Sequence, residues 1–269
     1  MAKRPQLAER VASDAVDGDV FDVPAAVLCA ICGQSDCSGC MPADEGTSGV
    51  VAIVPWERPG AGTWSRLWST ALATTQGAEA FFGAIPDGPL PPAMRFAILC
   101  EMLAVASMVT ALLPFAALAL PNLAMQVIAD PMMRQRAMQW FAIGVPLLAL
   151  WMVIAHATHG AALDAGARKF GGRPQRRRAL RYGLYACGWD LMTGPLGATW
   201  ILLSRGVKAT TEVMGLSMTV PGKASRALLS GVYGLPEEDA AQAHRLGTKV
   251  AIVLAIVSAL GLLVAYALA

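Results

Sequence analysis

Charge is what this sequence has least of. Asp, Glu, Lys and Arg make up 15% of its 269 residues, against about 25% in a soluble domain. With 55% of the residues hydrophobic, the chain reads as a membrane protein. Histidine is scarce too, at three residues. No nucleophile–base pair can be assembled from so few, and no Gly-rich phosphate loop, dinucleotide fingerprint or nucleophile elbow occurs. No enzyme is expected. The first residues, Met1 to Asp22, are polar and acidic and lack the apolar run of a secretory signal, so the N-terminal part is expected to stay in the cytoplasm.

The charge that exists is unevenly divided. Residues 1–92 hold 5 Lys and Arg against 11 Asp and Glu, and residues 93–269 hold 16 against 8. An acidic head precedes a basic membrane body. Arginine outnumbers lysine and alanine abounds, a composition typical of a GC-rich bacterial genome. Residues 1–24 form an acidic N-terminus expected to be disordered, 25–45 hold four cysteines, and 46–62 read as a linker around a short extended "VVAIV". From Trp64 the spacing turns helical. Trp64, Leu67, Trp68, Ala71 and Leu72 share one face, and this face predicts an amphipathic helix over residues 63–84, lying on the membrane surface or else packed as a soluble helix on the head, with an entry loop running to residue 92.

Residues 93–269 predict an all-α membrane bundle. Phe96–Leu118, Trp140–Thr158 and Val250–Leu268 approach the roughly 20 apolar residues a spanning helix needs. Tyr182–Leu203 is ambiguous. It reads as one span by hydropathy, or as a helical hairpin broken at "TGPLG", with its second arm running from Leu196 toward Leu216. The loop His159–Arg181 carries Arg168, Lys169, Arg173, Arg176, Arg177, Arg178 and Arg181, whereas the loop after the first span carries only Arg134 and Arg136. By the positive-inside rule, about five spans with the N-terminus inside and the C-terminus outside fit these charges best.

The stretches "FFGAIPDGPLPPAMRFAIL", "HATHGAALDAGARKFGGRPQRRRALRYGLYACGWDLMTGPLG" and "VMGLSMTVPGKASRALL" resemble the bacterial branch of the Yip family. These are five-span proteins whose eukaryotic members interact with Rab GTPases. The resemblance runs over about residues 75–269 through Gly88, Pro89 and Leu90, His159 and Gly171, Tyr185 and Ala186, Pro195, and Gly215 and Leu216. The eukaryotic Asp-Leu-Tyr-Gly-Pro motif is reduced to Asp87-Gly88-Pro89. The resemblance therefore implies topology, not a GTPase partner.

Four of the six cysteines fall in thirteen residues, "LCAICGQSDCSGC". Cys29, Cys32, Cys37 and Cys40 form C-x2-C-x4-C-x2-C, two knuckles that can grip one ion, with Gly33 and Gly39 letting the backbone turn around the sulfurs. A reducing cytoplasm disfavours disulfides. Structural Zn2+ is the leading reading, with an iron–sulfur cluster, redox thiols and no metal as alternatives. With almost no apolar core between Val20 and Val54, the ion would supply much of this head's folding free energy. Cys100 and Cys187 read as buried apolar fillers.

Ionisable residues in the apolar segments are the remaining candidates. Glu101, Asp190, Arg205, Lys208 and Glu212 should face the bundle or the interface rather than lipid. Arg205, Lys208 and Glu212, spaced i, i+3 and i+7, would share one helical face. That face reads as ion pairs that snorkel, or else as a polar pathway. His156 and His159 sit one turn apart without a third ligand nearby in sequence. Arg176, Arg177 and Arg178 suit anionic lipid.

The expected function is a non-enzymatic scaffold or adaptor in a bacterial inner membrane, presenting a zinc-clipped cytosolic head to a protein partner. The alternative is a small transporter or channel. Expected contacts are membrane lipids and one unidentified cytosolic protein; no nucleic acid is expected, and self-association is open.

Overall fold

The computed structural model describes residues 28–29, 50–51, 54–60 and 62–268. Cys32, Cys37, Cys40 and the acidic N-terminus lie outside the described residues. Two short strands, β1 (Leu28–Cys29) and β2 (Val50–Val51), pair antiparallel, Leu28 with Val51 and Cys29 with Val50. A 3-10 turn at Pro55–Glu57 follows, and the rest is helical: α1 (Thr63–Thr75), α2 (Ala78–Gly83), α3 (Leu90–Ala119), α4 (Pro121–Ala129), α5 (Pro131–Lys169), α6 (Arg176–Ala186), α7 (Gly188–Thr193), α8 (Pro195–Ser217), α9 (Val220–Gly231) and α10 (Glu237–Leu268).

Prolines begin several of these helices, where a missing N–H costs nothing. Pro91 lies in the first turn of α3, and Pro131 opens α5 directly after Asp130. The Asp130 carboxylate accepts from the Met132 amide at 2.8 Å, capping an otherwise bare helix start. At 39 residues, α5 is about 58 Å long. It ends where Gly171 takes φ +83, with Arg168 and Lys169 in its last turn, complementing the negative end of the helix dipole.

Burial is polarised along the long helices. In α3 every buried residue lies between Ala93 and Val105, and in α10 Ala240 and Ala243 are buried near its start. Toward the other end Leu113, Phe115 and Leu118 of α3, Met138, Trp140 and Ile143 of α5, and Ile252, Val253 and Ile256 of α10 are exposed. α4 buries nothing. Contiguous bare apolar surface of this extent suits lipid and not water. Among the described residues α3, α5 and residues Glu237–Gly261 of α10 are long and apolar enough to cross a membrane.

These three rods run antiparallel in turn. Val105 of α3 packs with Val145 and Ala149 of α5. Along α5 and α10, Trp151 Nε1 donates to Ser258 Oγ at 2.7 Å, His159 Nδ1 lies 3.1 Å from the Gly247 carbonyl, and Gly166 abuts Ala243. The other end is a packed helical body built from Val54–Phe82, the start of α3, the end of α5, α6–α9 and the start of α10. Its aromatic centre sets Phe82 against Tyr182 at 4.7 Å and Phe96 against Tyr185 at 5.2 Å. The body begins at buried Val54 and Trp56, inside the stretch that reads as linker.

Residues 182–203 are not one span. α6 has 11 residues and lies antiparallel against the end of α5, Gly160 touching Ala179 and Gly183 touching the His156 carbonyl. Only glycine permits backbones to meet so closely. The chain then bends through α7 and breaks at Gly194, which is extended, before Pro195 restarts a helix. α8 breaks again at Gly206, φ +82. Neither arm of this hairpin is a continuous apolar helix of spanning length, so three candidate spans stand among the described residues where about five were expected.

Candidate functional site

Where the packed body gives way to the bare apolar rods, three helices bring ionisable groups together. Glu101 comes from α3, His156 from α5, and Cys187 and Asp190 from the α6–α7 bend. Glu101 is 1% exposed. His156 Nε2 lies 3.0 Å from Asp190 Oδ2 and 3.6 Å from Glu101 Oε1. The ligand atoms of Glu101, His156 and Cys187 all lie within 4.8 Å of one another, and the fully buried Cys187 thiol points back toward the Gly183 carbonyl at 3.9 Å. Neither Glu101 oxygen makes a well-aligned hydrogen bond among the described residues, although the Asp190 carboxylate and the Cys187 thiol stand beside it. A buried carboxylate so weakly partnered is uncommon and calls for a reason.

A groove of about 370 Å³ leads to this cluster along α3 and α5. Glu101, Asp190 and Thr193 line its polar end, and Val105, Met108 and Leu112 line its apolar wall. The arrangement does not lay out a thiol-based catalytic relay. Both carboxylates address the same ring nitrogen, whereas a relay needs one nitrogen for the nucleophile and the other for the orienting acid.

Two further polar nodes hold the body together. The fully buried Arg181 of α6 forks onto Glu57, Nη1 to Oε1 at 2.8 Å and Nη2 to Oε2 at 3.0 Å, and Nη1 also donates to the Pro89 carbonyl at 2.8 Å. Tyr185 donates to Glu57 Oε1 at 2.6 Å. The segment just before α1 is thus riveted to α6, and Trp56 adds a 2.8 Å bond to the Pro92 carbonyl. In the second node Asp164 Oδ1 accepts from the Tyr233 hydroxyl at 2.8 Å and the Gln175 amide at 2.9 Å, while Arg168 Nε pairs with Oδ2 at 3.1 Å. Burial, and then the adjoining Asp164 carboxylate, push the Tyr233 phenol well above its ordinary range.

Other sequence candidates fall elsewhere. Arg205, Lys208 and Glu212 are exposed, so they line no interior pathway of this chain. His159 turns away from the cluster to Gly247. Cys100 is buried as a free thiol next to Glu101. The two tryptophans of α1 part company. Trp64 stays half exposed, while Trp68 is covered by Trp200 of α8, stacked at 5.4 Å. Cys29 lies in β1, and Cys32, Cys37 and Cys40 fall outside the described residues. The sequence flagged Glu101, Asp190 and His156 singly, and each belongs to the cluster; Cys187 it treated as filler. Three polar residues in separate apolar segments were the available signal, since such residues pair with one another.

Compared with protein families, curated proteins and solved structures, the chain finds no match.

Proposed function

We propose that this is a non-enzymatic membrane scaffold or adaptor, in which a three-span anchor and helical body present the four-cysteine head to a cytosolic protein. The observation that carries this reading is the rivet between Glu57 and Arg181, with Val54 and Trp56 in the core. Val54 and Trp56, which follow the head in sequence, belong to a fixed platform. The β1–β2 pairing supports the same view, because it ties Leu28 and Cys29 to Val50 and Val51, shortly before Val54 in sequence. Basic residues gather at the body end, including Arg168, Arg173, Arg176 and Lys223, while the far end has Arg134 and Arg136. That asymmetry favours a cytoplasmic body in a bacterial inner membrane.

On this proposal Zn2+ is held by Cys29, Cys32, Cys37 and Cys40, as their spacing suggests. The decisive experiment is crosslinked capture from membranes, comparing the full chain with a deletion of residues 1–53 and with the four cysteines changed to Ser. Both variants should stay inserted and lose the partner, and the Ser variant should lose the head's zinc. Capture unchanged by either would refute the reading. The Glu101–His156–Asp190 cluster favours a second reading, a small cation or proton carrier. Flux in liposomes that disappears in Glu101→Gln would replace the scaffold with it.

A further inference from the structure

The geometry points to a divalent transition-metal site, of the zinc type, inside the bundle: Glu101, His156 and Cys187 as ligands, with Asp190 placed to take the fourth position. This site is separate from the cysteine head and independent of the scaffold reading.

Four features carry the assignment. The first is spacing. Ligands at about 2.0–2.3 Å from a tetrahedral zinc stand roughly 3.3–3.8 Å apart. At His156 Nε2 the separation from Glu101, 3.6 Å, falls inside that range and that from Asp190, 3.0 Å, just below it, and the Cys187 ligand atom lies within 4.8 Å of those of Glu101 and His156. Small side-chain rotations close such a set. The second is the crowded carboxylate. Glu101 is buried with its oxygens beside the His156 ring, the Asp190 carboxylate and the Cys187 thiol, and a buried carboxylate without a full cationic partner is costly unless something else compensates it. One imidazole nitrogen cannot serve both Asp190 and Glu101, whereas a dication offers each a bond.

The third feature is charge. Two carboxylates stand around one imidazole, at 3.0 and 3.6 Å from the same nitrogen. A dication offsets both. The fourth is donor chemistry. Imidazole, thiolate and carboxylate together suit Zn2+, Co2+ or Fe2+, whereas Mg2+ and Ca2+ require oxygen ligands. Rigid placement supports the set as well, since each ligand comes from a different packed element and Gly183 seats α6 directly on the backbone of His156.

The test uses the full chain in detergent with Cys29, Cys32, Cys37 and Cys40 changed to Ser, so that the head contributes no thiolates. After chelator dialysis, Zn2+ titration should show one equivalent bound per chain, and Co2+ should give a visible ligand-field spectrum. Glu101→Gln and His156→Gln should each weaken binding at least tenfold, and Glu212→Gln should leave it unchanged. Thermal unfolding guards against misfolded variants. Zn2+ should raise the midpoint of the parent and not that of Glu101→Gln, while metal-free Glu101→Gln should be at least as stable as the metal-free parent, because one of two crowded carboxylates has gone. Mg2+ should shift neither. Failure of the four-Ser protein to bind Zn2+, equal binding by the Gln variants, or a Zn2+ shift shared by parent and Glu101→Gln would overturn the assignment. So would a stability that follows pH alone, the mark of a proton shared between Glu101 and Asp190.

Discussion

Replacing Glu57 by Ala strips the buried Arg181 of its counter-charge. The guanidinium keeps the Pro89 carbonyl but loses two charge-assisted bonds, and Tyr185 loses its acceptor. Breaking a buried pair from one side costs about 3–5 kcal/mol. The Glu57 side chain is 22% exposed, so water reaches the vacated end and about 3 kcal/mol is the better figure. For a chain of this size that lowers the unfolding midpoint by roughly 6–12 °C. Tryptophan fluorescence during thermal unfolding in detergent will read it, since Trp56 adjoins the node and packs edge-on against Phe96 at 5.8 Å. Glu57→Gln keeps the shape and loses the charge, so it should fall between. The informative variant is the double one. Glu57→Ala with Arg181→Met removes both partners and leaves no buried charge, so it should be clearly more stable than Glu57→Ala alone. A double variant as unstable as the sum of the two single ones would show that the pair is not coupled, and the rivet argument would fail.

Two further outcomes are expected. Gly183→Leu drives a side chain into the His156 carbonyl; forced overpacking costs about 1–3 kcal/mol, and the lifted α6 should also lose Zn2+ affinity, whereas Gly144→Ala, with open space around it, should change neither stability nor binding. In the background lacking the four head cysteines, Met218→Cys on the body side should react with membrane-impermeant thiol reagent only in inverted vesicles, and Arg134→Cys only in intact cells; labelling of both from the same side would contradict three antiparallel spans.

Helices were easier to read than their partners. The apolar runs of α3, α5 and α10 announce themselves because a spanning helix is apolar on all sides, and no tertiary knowledge is needed to see it. The bend between α6 and α8 was half legible, through Gly194 and Pro195. Its true sharpness depends on α6 sinking into the body, which periodicity does not express. Arg205, Lys208 and Glu212 were placed on one face by assuming an unbroken helix. Gly206, at φ +82 between the first two, ends that register. Glu57 looked like a linker residue because its partner stands 124 positions away. The same holds for the cluster. His156 and Asp190 are 34 residues apart, and sequence spacing reports neighbours along one helix but not across three.

One helix connects these features. From Arg181 to Ala186 every residue of α6 is buried, and its sides face different partners. Arg181 and Tyr185, one turn apart, hold Glu57. Tyr182 bonds Ser225 of α9 at 2.8 Å, Gly183 lies on the α5 backbone at His156, and Cys187, one turn further, reaches Glu101 and His156. A helix this short has little intrinsic stability and keeps its position through those contacts. Its residues cannot shift independently, because an α-helix moves as a rod while its neighbours are close-packed. A pull on the segment before α1 acts on Arg181, and through the same rod on Cys187 less than two turns away. One short helix thus runs from an exposed basic start, Arg176 and Arg177, past the Glu57 node to the Glu101–His156–Cys187 cluster, in the most buried part of the molecule.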